Sequence, residues 1–95
     1  MTRREEIIEV LINLGGVGTL SEIVDGVKAI TKKGIPPKLD ASLRCEIEKH
    51  SSDSAAYIGA DDIFYSVCGI GNGVWGLRLL QYRNNQKEQM KANRE

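Results

Sequence analysis

Few residues of this chain have the chemistry for metal binding. The two cysteines are Cys45 and Cys68, and the single histidine is His50. Because the cysteines form no C-x-x-C pair, these three donors do not resemble a zinc site. Asp61 and Asp62 form an acidic pair without a third ligand nearby in sequence, so we interpret them as a turn cap. We expect no metal, no cofactor and two free thiols in a reducing cytoplasm, in preference to a disulfide.

Nucleophilic catalysis is not indicated either. Ser51, Ser52 and Ser54 follow His50, but nothing places an oxyanion hole or orients the imidazole. His50 ends the apolar stripe of a predicted helix, which favours a partly buried structural histidine. The glycine-rich residues 69–73 lack the strand-to-helix context and the Lys-Ser/Thr pair of a phosphate-binding loop, and they indicate a hairpin turn. We therefore expect that the chain is not an enzyme.

The charged residues are distributed in blocks, although the formal net charge is zero. Residues 28–49 carry six basic and three acidic groups, and residues 78–95 carry five and two. Residues 1–27 carry two basic and five acidic groups, and residues 50–77 carry three acids and no base. A neutral chain of this kind can still present one basic face to a nucleic acid.

The candidate DNA contacts lie mostly in the first basic block. Lysines there would neutralise phosphates, whereas small residues would let a helix approach base edges. Glu46 and Glu48 argue against a uniform electrostatic clamp. For phosphate contact the candidates are Lys32, Lys33, Lys38 and Lys49, supported by the backbone of the glycine-rich turn and Asn72. For base contact they are Lys38, Ala41, Ser42, Arg44 and Cys45.

Two capping boxes predict the first two helices, one at Thr2 and Glu5 and one at Thr19 and Glu22. The first apolar stripe is Ile7, Ile8, Leu11 and Leu14, and the helix ends at Gly15 and Gly16. The second stripe is Leu20, Ile23, Val24, Val27 and Ile30, in a helix that runs to Thr31 or Lys32. Residues 17–19 are too short for an independent strand and are at most a short edge strand.

A third helix and a hairpin follow. Pro37 is the predicted first residue of that helix. Its inner face is Leu39, Leu43, Ile47 and His50, and its other side is Lys38, Ala41, Cys45, Glu48 and Lys49, with Arg44 at the flank. Residues 63–67 and 74–79 predict two strands, with Trp75, Leu77 and Leu79 on one face. This favours a core position for Trp75 over stacking on a base.

These elements predict one α+β domain over residues 1–80, followed by a polar tail, a frayed helix or a linker, over residues 81–95. Helix, helix, helix, hairpin is the order of a winged helix-turn-helix, with a three-helix core and a two-stranded β wing. No apolar run approaches the ~20 residues of a membrane span. We expect a cytoplasmic protein without a membrane partner.

A family resemblance is carried by six segments. They are residues 7–16, 21–23, 41–44, 49–54, 62–67 and 73–78. Over residues 5–79 the chain resembles the winged helix-turn-helix modules attached to bacterial and phage restriction endonucleases, including HNH-type enzymes, and more distantly the HARE-HTH domains. The resemblance implies recognition of a sequence or a modified base in double-stranded DNA, in service of a fused or partner nuclease. Some related domains recognise a methylated base with aromatic residues, for which Trp75 and Tyr65 would be the candidates.

Two hypotheses follow. The first is a DNA-binding module in restriction-modification, acting as a monomer or a homodimer. The second is a protein-interaction winged helix, an adaptor or dimerisation module without direct DNA contact. The zero net charge, the glutamates of the third helix and the acidic residues Asp53, Asp61 and Asp62 favour the second hypothesis.

Overall fold

The computed structural model describes residues 1–59, 61–69 and 71–78. Its elements are α1 (Arg3–Asn13), β1 (Val17–Thr19), α2 (Leu20–Ile30), α3 (Leu39–Lys49), β2 (Phe64–Ser66) and β3 (Val74–Leu77). The strands form an antiparallel sheet in the order β1-β3-β2. The α+β class is confirmed. Leu79 and the predicted tail, residues 81–95, lie outside the described residues. No helix in the described part of the chain has the length and apolar character needed to cross a membrane.

Local capping sets where α1 and α2 begin. The Glu5 amide donates to Thr2 Oγ1 at 3.2 Å, and the Thr2 amide donates to Glu5 Oε1 at 2.9 Å. The same two bonds join Thr19 and Glu22 at 3.1 and 2.9 Å. Both predicted capping boxes are therefore confirmed. Each satisfies backbone donors that a helix N-terminus leaves unpaired.

The sheet has three strands, so the prediction of a two-stranded wing is wrong in strand count. Gly15 and Gly16 adopt φ +88° and +102° and turn the chain after α1. The Leu77 amide then donates to the Gly16 carbonyl at 2.9 Å, and Val17 lies opposite Gly76. A strand of three residues is not stable alone. Its pairing with β3, far along the chain, makes residues 17–19 an edge strand.

The predicted start of α3 is wrong by two residues. Pro37 lies in a turn, and the helix begins at Leu39. Lys38 is the N-cap residue, with φ −111° and ψ 40° and no side-chain capping bond. Because Lys38 is not helical, Pro37 cannot occupy the first turn. The helix α2 also ends slightly early, at Ile30, because Thr31 is extended at φ −67° and ψ 139°.

The core lies between the three helices and one face of the sheet. Its buried apolar residues are Ile7, Val10, Leu11, Ile23, Val27, Leu39, Leu43, Ile47, Phe64, Trp75 and Leu77. Trp75 is 3% exposed, so it is a core residue as predicted. Leu14, predicted in the stripe of α1, is 38% exposed at the C-cap, whereas Val10 is buried. On the opposite sheet face, the Tyr65 ring lies against Gly76.

Candidate nucleic-acid interface

The exposed face of α3 carries most of the predicted DNA contacts. The inner face, Leu39, Leu43, Ile47 and His50, is at most 6% exposed, as predicted. This orientation leaves the other side of the helix in solvent. The exposed site residues are Lys38, Ala41, Ser42, Arg44, Cys45 and Lys49. The structure therefore brings six of the nine predicted site residues to one helix face.

Two open grooves flank this face, and Ala41 and Cys45 line both of them. These two small residues lie one helical turn apart and form the ridge between the grooves. The α1-side groove is lined by Arg3, Lys38, Ala41, Ser42, Cys45, Glu46 and Lys49. The α2-side groove is lined by Leu20, Asp40, Ala41, Arg44, Cys45 and Glu48.

The two grooves carry opposite charge. In the α1-side groove, Lys38 and Lys49 stand against the single carboxylate of Glu46, and the third cation, Arg3, is already paired with Glu6. In the α2-side groove, Asp40 and Glu48 stand against the single guanidinium of Arg44. A phosphate is therefore attracted to the α1 side of α3 and repelled from the α2 side.

Arginines and lysines have different surroundings. Every arginine among the described residues lies in an ion pair, and these pairs are Arg3–Glu6, Arg4–Asp61, Arg44–Glu48, Arg78–Asp53 and Arg78–Asp62. The lysines of residues 1–59 form no ion pair with a described carboxylate. They are all exposed, and they are Lys28, Lys32, Lys33, Lys38 and Lys49. The lysines are thus the cations available to an external anion.

Arg3 joins the start of α1 to the turn after α2. Its Nη1 donates to Glu6 Oε1 at 2.9 Å and to Thr31 Oγ1 at 3.0 Å. Its Nη2 donates to the Gly34 carbonyl at 3.1 Å. The turn that carries Lys32 and Lys33 is therefore fixed against the same arginine that lines the α1-side groove.

Glu6 is the buried partner of Arg3. Its side chain is 3% exposed. Burial alone would raise the pKa of Glu6, but hydrogen bonds from Thr31 and Arg3 outweigh burial and lower the pKa. Glu6 is thus ionised and holds Arg3 in place. Neither Arg3 nor Glu6 was among the predicted site residues, and only their i, i+3 spacing hinted at a pair.

Asp62 acts as the predicted turn cap. It accepts hydrogen bonds from the Ser52 amide at 2.9 Å, the Ser52 hydroxyl at 2.7 Å and Arg78 Nε at 3.0 Å. These bonds lower its pKa although burial would raise it. Arg78 also pairs with Asp53 at 3.2 Å. Asp61 pairs with Arg4 at 3.2 Å. Asp53, Asp61 and Asp62, which favoured a protein partner, are therefore all paired with arginines of the fold.

Asn72 lies apart from the lysines. Its side-chain amide donates to the Cys68 carbonyl inside the glycine-rich turn. The end of this turn contacts the start of α2, where the Leu20 amide donates to the Gly73 carbonyl at 2.7 Å. Since Leu20 lines the α2-side groove, the turn borders that groove. The DNA contact predicted for Asn72 stays a prediction, on a turn apart from the lysines.

His50 has a structural position. It is 6% exposed, and its Nε2 lies 3.3 Å from Glu46 Oε1. Its carbonyl accepts from the Ile63 and Phe64 amides at 2.8 and 3.1 Å, which links the end of α3 to β2. Its Nδ1 is buried without a hydrogen-bond partner in the described part of the chain.

Comparison with known proteins finds no matching family model, no matching curated protein and no matching solved structure. The function must therefore be argued from the chemistry of the site.

Proposed function

We propose that the chain is a winged helix domain that binds double-stranded DNA through the exposed face of α3. It would serve as a target- or modification-recognition module of a restriction-type nuclease, fused or separate. The order of three helices followed by the β2–β3 hairpin is compatible with such a domain. The observation that carries the proposal is that Lys38 and Lys49, both exposed and without ion pairs in the described structure, line the α1-side groove.

The spacing of these lysines suits the duplex. Lys38 and Lys49 lie at opposite ends of α3. At 1.5 Å per residue their backbones are about 16 Å apart, which exceeds the roughly 12 Å width of the B-DNA major groove. Between them, the ridge of Ala41 and Cys45 carries only short side chains. The helix can therefore approach base edges while its ends contact phosphates.

A second candidate function is docking on a protein without DNA contact. One observation favours it, namely that the α2-side groove holds two carboxylates and one guanidinium and would repel a phosphate. The double substitution Lys38→Glu with Arg44→Glu separates the two functions. Under the first function, the double variant loses duplex binding. Under the second function, its partner pull-down stays intact.

The primary test is a titration of fluorescent duplexes with the protein at two salt concentrations, using methylated and unmethylated DNA. The proposal predicts micromolar or tighter binding that weakens steeply with salt. Binding that is undetectable at micromolar protein, or that is independent of salt, would contradict it. A difference between the two duplexes would identify a modified base as the target.

A further inference from the structure

Asp40, Arg44 and Glu48 form one row along α3 at successive i, i+4 positions, and all three line the α2-side groove. Arg44 lies between two carboxylates of its own helix. Its Nε is 3.5 Å from Glu48 Oε1, and its side chain is 65% exposed. The contact is long and open, so it leaves the guanidinium accessible to a ligand.

The charge of this row disfavours contact with the phosphate backbone of DNA. Two carboxylates facing a phosphate would oppose binding, and one guanidinium that already pairs with Glu48 does not compensate for them. Base edges in the major groove differ from phosphates in this respect, because they carry neutral donors and acceptors. A mixed acid–arginine row on a DNA-binding helix therefore suits bases and not the backbone.

Resting on the proposed DNA-binding function, we propose that Arg44 is the specificity-determining residue of α3 and that it recognises guanine in the major groove. Its guanidinium donates to guanine O6 and N7, which is the pairing that the fork geometry of arginine favours. Glu48 is a positioning residue that aims the guanidinium, and its carboxylate disfavours a phosphate at the same place.

The neighbouring residues fit this assignment. Ala41 and Cys45, beside Arg44 on the ridge, are too short to hold the helix away from the bases. On the other side of the ridge, Lys38 and Lys49 contact the backbone and carry no sequence information. Affinity and specificity thus come from opposite sides of one helix, and they can be altered separately.

The test uses two duplexes of equal length, one of alternating dG-dC and one of alternating dA-dT. Wild-type protein binds the dG-dC duplex more tightly, by about tenfold or more. Arg44→Ala removes this preference, and it weakens binding to the dG-dC duplex more than to the dA-dT duplex, which loses only the attraction of one positive charge. Because the Arg44 side chain is exposed, its replacement should leave the fold unchanged. Glu48→Gln lowers the preference while raising the affinity for both duplexes, a combination that a purely structural role would not produce.

Lys38→Gln is the matched control, because it weakens binding to both duplexes equally and keeps the preference for the dG-dC duplex. Equal binding of both duplexes by wild-type protein, or an Arg44→Ala variant that keeps the preference, overturns the assignment of Arg44 and leaves DNA binding intact. Failure of wild-type protein to bind either duplex overturns the proposed function itself.

Discussion

The guanidinium of Arg3 donates to the buried carboxylate of Glu6 at 2.9 Å and, through its other terminal nitrogen, to the Gly34 carbonyl at 3.1 Å. One side chain therefore links α1 to the turn that leads into α3. Because Arg3 also lines the α1-side groove, the stability of the domain and the shape of its candidate interface depend on the same contact.

Substitution Glu6→Gln should destabilise the domain by about 1–3 kcal/mol, because it leaves buried hydrogen-bonding groups without their charged partner. Urea unfolding followed by circular dichroism measures this change. Glu9→Gln is the matched control, since Glu9 lies on the same helix and forms no ion pair within the described residues. Equal stability of the two variants would show that Arg3 and Glu6 do not hold the turn.

Stability should fall as the pH drops below about 5. Hydrogen bonds hold the pKa values of Glu6 and Asp62 below their ordinary range in the folded protein. As pH falls through the ordinary carboxyl range, near pH 4, the unfolded chain therefore takes up protons first. The stabilisation that these two carboxylates give above that range is lost progressively as the pH falls from there to their pKa values in the folded protein.

The double variant Glu6→Gln with Asp62→Asn should show a flatter dependence of unfolding free energy on pH between about 2 and 5. A residual slope remains from Glu5, whose pKa is lowered by the backbone and side-chain bonds of Thr2. Denaturant unfolding at several pH values measures both proteins. A wild-type slope as flat as that of the variant would refute these pKa directions.

Substitution Gly26→Ala should destabilise the domain. In a helix interior, alanine normally increases stability by about 1 kcal/mol relative to glycine, so the expected sign is the reverse of the usual one. A Cβ on Gly26 would meet Val10, lying 3.0 Å from its Cγ2 and closer to its Cγ1. The clash forces α1 and α2 apart. Thermal unfolding should show a lower Tm for Gly26→Ala. The double variant Gly26→Ala with Val10→Ala should show a smaller effect than the two single changes added together, and strict additivity would contradict this contact.

Features set by neighbouring residues were predictable from the sequence. The capping boxes at Thr2 and Thr19 depend on residues three positions apart, and both are present. The apolar stripe of α3 also follows from its own periodicity. The start of α3 was predicted incorrectly because proline at the first helical position is only a preference, and the backbone of Lys38 departs from it.

Features set by distant residues were not predictable. The strand β1 depends on β3, and the position of the turn after α2 depends on Arg3, whose contact at Gly34 lies 31 residues away. The sequence placed most of the candidate DNA contacts in one basic block, residues 28–49, but did not show which of its cations form ion pairs. That distinction, with arginines paired and lysines exposed, is what defines the candidate interface.

The salt dependence of duplex binding shows whether the exposed lysines contact DNA phosphates. The variant replaces Lys32, Lys33, Lys38 and Lys49 by glutamine. The control is Lys28→Gln, since Lys28 is also exposed but lies on α2, in a groove between α2 and the α2–α3 turn, and not in the turn that Arg3 holds or on α3. The account predicts that the slope of log affinity against log salt becomes shallower by about four in the variant and by nearly nothing in the control. DNA contact by these four lysines would be contradicted by a variant that keeps the wild-type affinity and slope. It would also be contradicted by a control whose slope falls as much per lysine as that of the variant.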